Sequence, residues 1–489
     1  MRAGDPPWTL VMSAVTAAFA AGLGVITLVT TLPARICLAS LVVAAMWAVS
    51  QREAVARIRL TSLLALLAVA LPGLALLGPS LGMPGAREVS AFRIALVLFV
   101  LLAFWRIQLG PLRIPRRPSS LWKPLGLWYV WLAISAVWAP DKVAALRSLA
   151  VLLSMLILTA CVAICGSRDD LFRRALTVLG GVFALTLVVG IGEALTGMHL
   201  PGSGAAPGER AVATAWFVNR NDLATYLALC WPFVLLGGLL ARGARWRWLA
   251  VIALAISTVL VFLSGSRTSL LSIAVATAAC VAAAPRLRSW RSARRLWAGG
   301  AVLLCLFVGA LVLANYTDLP LLRQFRLAGV AEDIQTGTGS GGARLEVARA
   351  GLTVVSRSYL LGVGTGNAES VVRQPDDYDL TVVNLHSWWL DVFVNSGVPG
   401  LALFLGAYGG LFVVCLRTAR RRSAVPGKAV AAASAAALLS FTIGAFGPST
   451  SSGFAPLWAL LGVSMATVWY TSRHEHNADD LPRLERGST

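Results

Sequence analysis

The chain has 489 residues, 57% of them hydrophobic and only 13% charged, with a mean hydropathy of +0.75. A soluble domain keeps about a quarter of its residues charged, so this composition excludes an ordinary soluble protein and predicts a polytopic, all-α membrane protein. The formal net charge of +20 raises nucleic acid as a partner, and the placement of the charges argues against it.

A membrane-spanning helix needs about 20 mostly apolar residues. In chain order, candidate spans fall near 8–31, 35–49, 60–83, 90–106, 121–138, 147–166, 175–195, 214–241, 246–264, 268–284, 296–315, 387–416, 427–447 and 452–471. The second is short and the third is interrupted by Pro72-Gly73 and Gly78-Pro79, so 12–14 helices are expected. No small-residue cleavage site follows the first span, which reads as a retained helix and not a signal peptide. With the N-terminus inside, the even-numbered loops and both tails carry 28 Lys/Arg. The short outside loops carry eight: Arg35, Arg87, Arg93, Lys142, Arg147, Arg210, Arg220 and Arg267. This is the positive-inside pattern, with anionic membrane lipids as the partner of the basic loops. Both termini are therefore expected in the cytoplasm.

The seven cysteines all fall within candidate spans, which implies no disulfide framework. Cys161 and Cys165 share a helix face and suit a metal less well than close helix packing.

The segment 316–385 is the longest loop and is placed outside. Within it, "GARLEVARAGLTVVSRS" sets Leu345, Ala348, Leu352 and Val355 at helical spacing, the pattern of an amphipathic helix on the membrane or over a cavity. A glycine-rich turn, "GVGTGN", ends that helix. It lacks a preceding strand and a Gly-Lys-Ser/Thr, so it is no nucleotide loop. "PDDYD" and the tail "RHEHNADD" read as solvated segments.

The polar residues of the outside loops carry the chemistry. Arg267, among Ser264, Ser266, Thr268 and Ser269, stands at a helix start. Backbone N–H groups, the helix dipole and a guanidinium fork would favour an anion there. The alternative is an arginine that reaches out to lipid headgroups. His386 falls at the first turn of a long helix, with Asn384 or Ser387 able to cap it. The positive helix end keeps its ring neutral and able to take a proton. A helix cap or an interface anchor is the competing role. Asp222 and Asp391 are the carboxylates next in order as a base.

These motifs, "FVNRNDLATYLAL", "LVFLSGSRTSLLS", "GARLEVARAGL", "GVGTGN" and "LHSWWLDVFVNSGVPGLALFL", together resemble the O-antigen ligase and O-antigen polymerase family of bacterial membrane glycosyltransferases. The resemblance covers most of the chain from "SAVWAPDKVAALRSLAVLL" (135–153) onward. It implies a GT-C-like helical fold and transfer of glycan from an undecaprenyl diphosphate-linked donor to a glycan or other hydroxyl acceptor. The site would face outward from the cytoplasmic membrane and would need no nucleotide sugar, cofactor or metal. Other membrane proteins of polysaccharide assembly become candidate partners. Carried onto this chain, Arg267 and Arg344 would hold the donor diphosphate and His386 would be the base. Arg220 stands where the family often has proline, as an extra phosphate ligand or a local variant. Asn395 stands where the family often has glutamate. The organisation expected is N-terminal transmembrane helices over 1–210, a ligase/polymerase-like core over 211–416, C-terminal transmembrane helices over 417–472 and a cytoplasmic tail over 473–489. Polymerase and ligase are not separated by these motifs. A lipid-linked oligosaccharide flippase or other polysaccharide transporter is the rival class, although it tends to show internal repeats, and none is evident. A structural scaffold is a third reading that accounts for no polar residue in particular.

Overall fold

The structure, a computed structural model, describes residues 53–78, 82–83, 86–109, 119–201, 203–206, 208–287, 339–372, 385–421, 427–448 and 452–485. The spans expected at 8–31, 35–49 and 296–315, with Asn384 and "PDDYD", lie outside the described residues.

The other candidate spans are helices. In chain order they are α1 (Glu53–Leu76), α2 (Ala91–Gln108), α3 (Ser119–Ser135), α4 (Lys142–Cys165), α5 (Asp169–Thr196), α6 (Arg220–Leu240), α7 (Ala244–Leu263) and α8 (Arg267–Leu287). After the long loop's helices α9 (Gly339–Arg357) and α10 (Ala368–Val372) come α11 (Trp388–Arg420), α12 (Lys428–Gly444) and α13 (Ala455–Glu485). Among the described residues, six helices are long and apolar enough to cross a membrane, and three shorter apolar helices accompany them. The chain is a multi-pass membrane protein. One small antiparallel hairpin, β1 (Gly82–Met83) with β2 (Ala86–Ser90), accompanies the helices of a fold that is all-α as expected.

Lipid gives no hydrophobic drive between helices, so close approach and buried polar bonds hold them together. α4 and α13 show both. A Cβ added at Gly166 would lie 2.2 Å from Ala466 O, and one at Gly462 would lie 2.6 Å from Val162 Cβ. Thr159 Oγ1 also donates to Trp458 O at 3.0 Å. An aromatic cluster then ties α3, α11 and α13, with Trp128–Phe404 centroids 5.1 Å apart and Trp388–Trp458 6.0 Å apart.

α11 is broken, and the break positions the site. Gly397 has φ 65° and ψ −166°, a backbone region that is essentially glycine-only. The break frees three carbonyls. Val394 O accepts from Val363 N at 2.9 Å, Asn395 O from Gly364 N at 3.0 Å and Ser396 O from Trp131 Nε1 at 2.8 Å. Pro399 has no N–H to offer Asn395 O, so a partner from outside the helix suits that carbonyl. The "GVGTGN" turn is therefore a clasp on a broken helix. Asn395 completes it: its Oδ1 accepts from Asn367 N (3.0 Å) and Ala368 N (3.1 Å), while its Nδ2 donates to Asp391 Oδ1 (3.1 Å). A glutamate at that position has no donor for Asp391.

α9 is helical as expected, but its buried face differs from the expected stripe. Val347, Ala350, Val354 and Val355 are buried, whereas Leu352 is 57% exposed and Leu345 and Ala348 are half-buried. Gly351 brings α9 against Leu390 and Val394 of α11, and the residues on that side form a small core of their own with Val363 and Leu385. α13 runs past its expected end, and the tail does not begin as a solvated segment. Arg473 pairs with Asp169, and His474 Nε2 stands 3.4 Å from the same carboxylate.

Candidate active site

Three helices begin at one end of the bundle. Asn219 caps α6, its Oδ1 accepting from Asn221 N at 2.8 Å. α8 opens at Arg267 behind Ser266, whose Oγ accepts from Ser269 N at 3.4 Å. Ser387 caps α11, accepting from Leu390 N at 3.3 Å. All three starts meet the C-terminal end of α12. Trp388 N donates to Ala445 O at 2.8 Å, and a Cβ added at Gly447 would lie 2.9 Å from Thr225 Oγ1 and 3.3 Å from Thr268 Oγ1. Each helix start carries partial positive charge, which the adjoining C-terminal end of α12 offsets, so it is the arginines at this end that favour anions. At the opposite end, Arg421 pairs with Glu475, and Arg473 donates to Ser167 O.

α9 delivers Arg344 to the anion-favouring end, where its Nη1 donates to Phe446 O at 3.3 Å. Arg344 and His386 line one cavity of about 400 Å³, walled otherwise by apolar side chains such as Leu385, Trp389, Phe393 and Phe446. Burial, and after it the positive charge of Arg267, push the Arg344 guanidinium below its ordinary pKa. Burial, and after it the charge of Arg344, push the His386 imidazole below its own. The neutral ring is thus favoured by desolvation and a neighbouring cation. His386 also differs from expectation in position: Ser387 takes the cap, so the histidine precedes the helix instead of standing in its first turn. It holds φ 45° there, a left-handed conformation that costs a non-glycine residue about 1–2 kcal/mol.

Arg267 is half-buried and acts on Arg344 through its charge, without lining the cavity wall. Arg220 opens α6 at the same end with an exposed side chain, outside that wall. Asp222, only 1% exposed, and Asp391 line a different cavity of about 550 Å³.

Sequence reasoning passed over Glu193, which is 3% exposed near the end of α5. Its Oε2 accepts from Thr214 N (2.8 Å) and Ala215 N (2.7 Å), and its Oε1 from Leu200 N (3.0 Å). One carboxylate thereby holds the loop between α5 and α6. The available signal was a glutamate inside an apolar run, where an ionisable group is costly and marks a role.

Fold and pocket together define a polytopic membrane protein with a cationic, partly desolvated pocket at one end of its bundle. Residues 252–405 match the family described as O-Antigen ligase. The chain is also 23% identical over 350 residues to the teichuronic acid biosynthesis protein TuaE of Bacillus subtilis (strain 168), a match covering 70% of each chain. These findings support an O-antigen ligase/polymerase-like family for this chain. The matched segment contains Arg267, Arg344 and His386.

Proposed function

We propose that the chain is a membrane glycosyltransferase of cell-surface polysaccharide biosynthesis, acting as polymerase or ligase. It takes glycan from an undecaprenyl diphosphate-linked donor and passes it to an acceptor hydroxyl on the extracytoplasmic side. The observation that carries this reading is the meeting of Arg344 with His386 in one cavity, under the charge of Arg267. Like charges held together in a desolvated place are costly, and a bound diphosphate offsets that cost.

In the reaction the bond between the sugar C1 and the phosphate oxygen breaks, and its electron pair leaves with the diphosphate. Arg344 and Arg267 stabilise that growing charge, and the apolar walls exclude water, which strengthens each electrostatic contact. The acceptor oxygen bonds to C1 from the opposite face, inverting the anomeric centre. Its proton passes to the neutral imidazole of His386, which later releases it to solvent. A base-competent histidine beside the arginines favours transfer over lipid-linked oligosaccharide transport, which requires no base.

The test is incubation of the purified protein with lipid-linked repeat units. Longer lipid-linked chains indicate a polymerase, and movement of glycan to an added acceptor indicates a ligase. Neither product, from folded protein with intact donor, would overturn the reading.

A further inference from the structure

The 550 Å³ cavity lies apart from the arginine–histidine pocket. The first turns of α11 separate the two: Trp389, Leu390 and Phe393 line the pocket, whereas Asp391 and Asn395 line the cavity. At about 100° per residue these sets occupy opposite faces of one helix. On the α4 side, Ala144, Ser148, Val151 and Met155 form one helical stripe of the wall, so the cavity extends roughly 16 Å along α4 from its N-terminal end.

Its chemistry is not that of a second diphosphate site. Among the described lining residues, three are acidic, Asp222, Glu369 and Asp391, and one is basic, Arg93. Beside them stand the hydroxyls of Ser148 and Ser154 and the rings of Trp216, Phe217 and Phe454. Carboxylates accept bonds from neighbouring hydroxyls, and flat rings cover apolar C–H faces. A sugar ring presents both surfaces at once. The volume lies in the range of sites that enclose small ligands.

The position of the aromatic wall is built in. Glu193 holds Thr214 and Ala215 immediately before Trp216, and Gly78 lets the Trp216 carbonyl approach to within 2.7 Å of where a Cβ would stand.

We propose that this cavity is a separate glycan subsite, taking uncharged, hydroxyl-rich sugar residues that are not the reacting ones. Asp222 and Asp391 accept their hydroxyl bonds, and Trp216 and Phe217 cover their faces. The inference rests on the glycan-transfer reading for the presence of sugar, and its test does not depend on transfer.

The full-length protein in nanodiscs is titrated with maltotriose and chitotriose, with binding followed by saturation-transfer NMR and calorimetry. At least one of the two should bind the wild type. Asp222→Asn and Trp216→Ala should each weaken that binding on the order of tenfold. Val151→Phe, which fills the cavity without removing a polar group, should weaken it similarly and guards against a folding defect in the other variants. His386→Ala should bind the trisaccharide as the wild type does. No binding by wild type, or wild-type affinity in Val151→Phe and Trp216→Ala, overturns the inference, as does equal weakening by His386→Ala. Transfer activity without trisaccharide binding sinks this inference alone. Binding without transfer sinks the glycosyltransferase reading alone.

Discussion

Arg344 and His386 share one mainly apolar cavity, and the charge of the first lowers the proton affinity of the second. The histidine is therefore neutral to lower pH than a free one, whose pKa is about 6.5. As pH falls, transfer should be lost only below that ordinary value. Arg344→Gln removes one of the two causes, so the His386 titration should move up toward 6.5. With four histidines in the chain, imidazole NMR of His-labelled protein can follow it directly. An unchanged titration in Arg344→Gln would remove the electrostatic coupling between the two.

If His386 takes the acceptor proton, His386→Ala should cost about 10²–10⁴-fold in transfer rate while donor binding stays nearly intact. His386→Gln keeps some hydrogen bonding but has no basic nitrogen, so it should be almost as impaired. Normal turnover by the glutamine variant, with an unaltered pH profile, would take the base role away and pass it to Asp222 or Asp391.

Arginine's planar fork matches a diphosphate in a way that an ammonium does not. Arg344→Lys should thus lose much of the transfer activity despite keeping its charge, whereas Arg267→Lys keeps the charge that acts on Arg344 and should lose less. Arg344→Ala should lose about 10²–10³-fold, the usual scale for one preorganised donor. Near-normal rates for Arg267→Ala or Arg344→Ala, at equal protein level, would rule that residue out of the diphosphate clamp.

Gly397→Ala should be far more damaging than Gly406→Ala on the same helix. A Cβ at Gly397 would lie 2.1 Å from Leu360 O in a positive-φ conformation, whereas Gly406 has nothing within 4 Å. Backbone strain of this kind costs about 1–3 kcal/mol before any clash is counted. Thermal unfolding in detergent should show a large loss for the first variant and little change for the second.

The distribution of basic loops predicts an orientation in the membrane. Reporter fusions near 115, 290 and 422 should give a cytoplasmic signal, and fusions in 316–385 an extracytoplasmic one. A cytoplasmic signal from the long loop would separate the proposed site from its substrate.

Much of this molecule is legible in the sequence because the bilayer imposes a local rule. About 20 apolar residues in a row must form a helix to satisfy their own backbone. Runs such as 147–166 and 246–264 accordingly match α4 and α7 to within a few residues. Helix starts are local too, since Ser387 and Asn219 reach only the next few N–H groups. The relationships between segments are not local. Which face of α9 is buried depends on α11 packing against Gly351: spacing alone put Leu352 in the stripe and left out Val354, yet Val354 is the buried one. "GVGTGN" acquires its role only where Gly397 frees carbonyls for Val363 and Gly364 to meet. Arg344 and His386 are coupled, and Asp391 is turned into a different cavity, because the path of a whole bundle sets distances between charges that spacing along the chain does not encode.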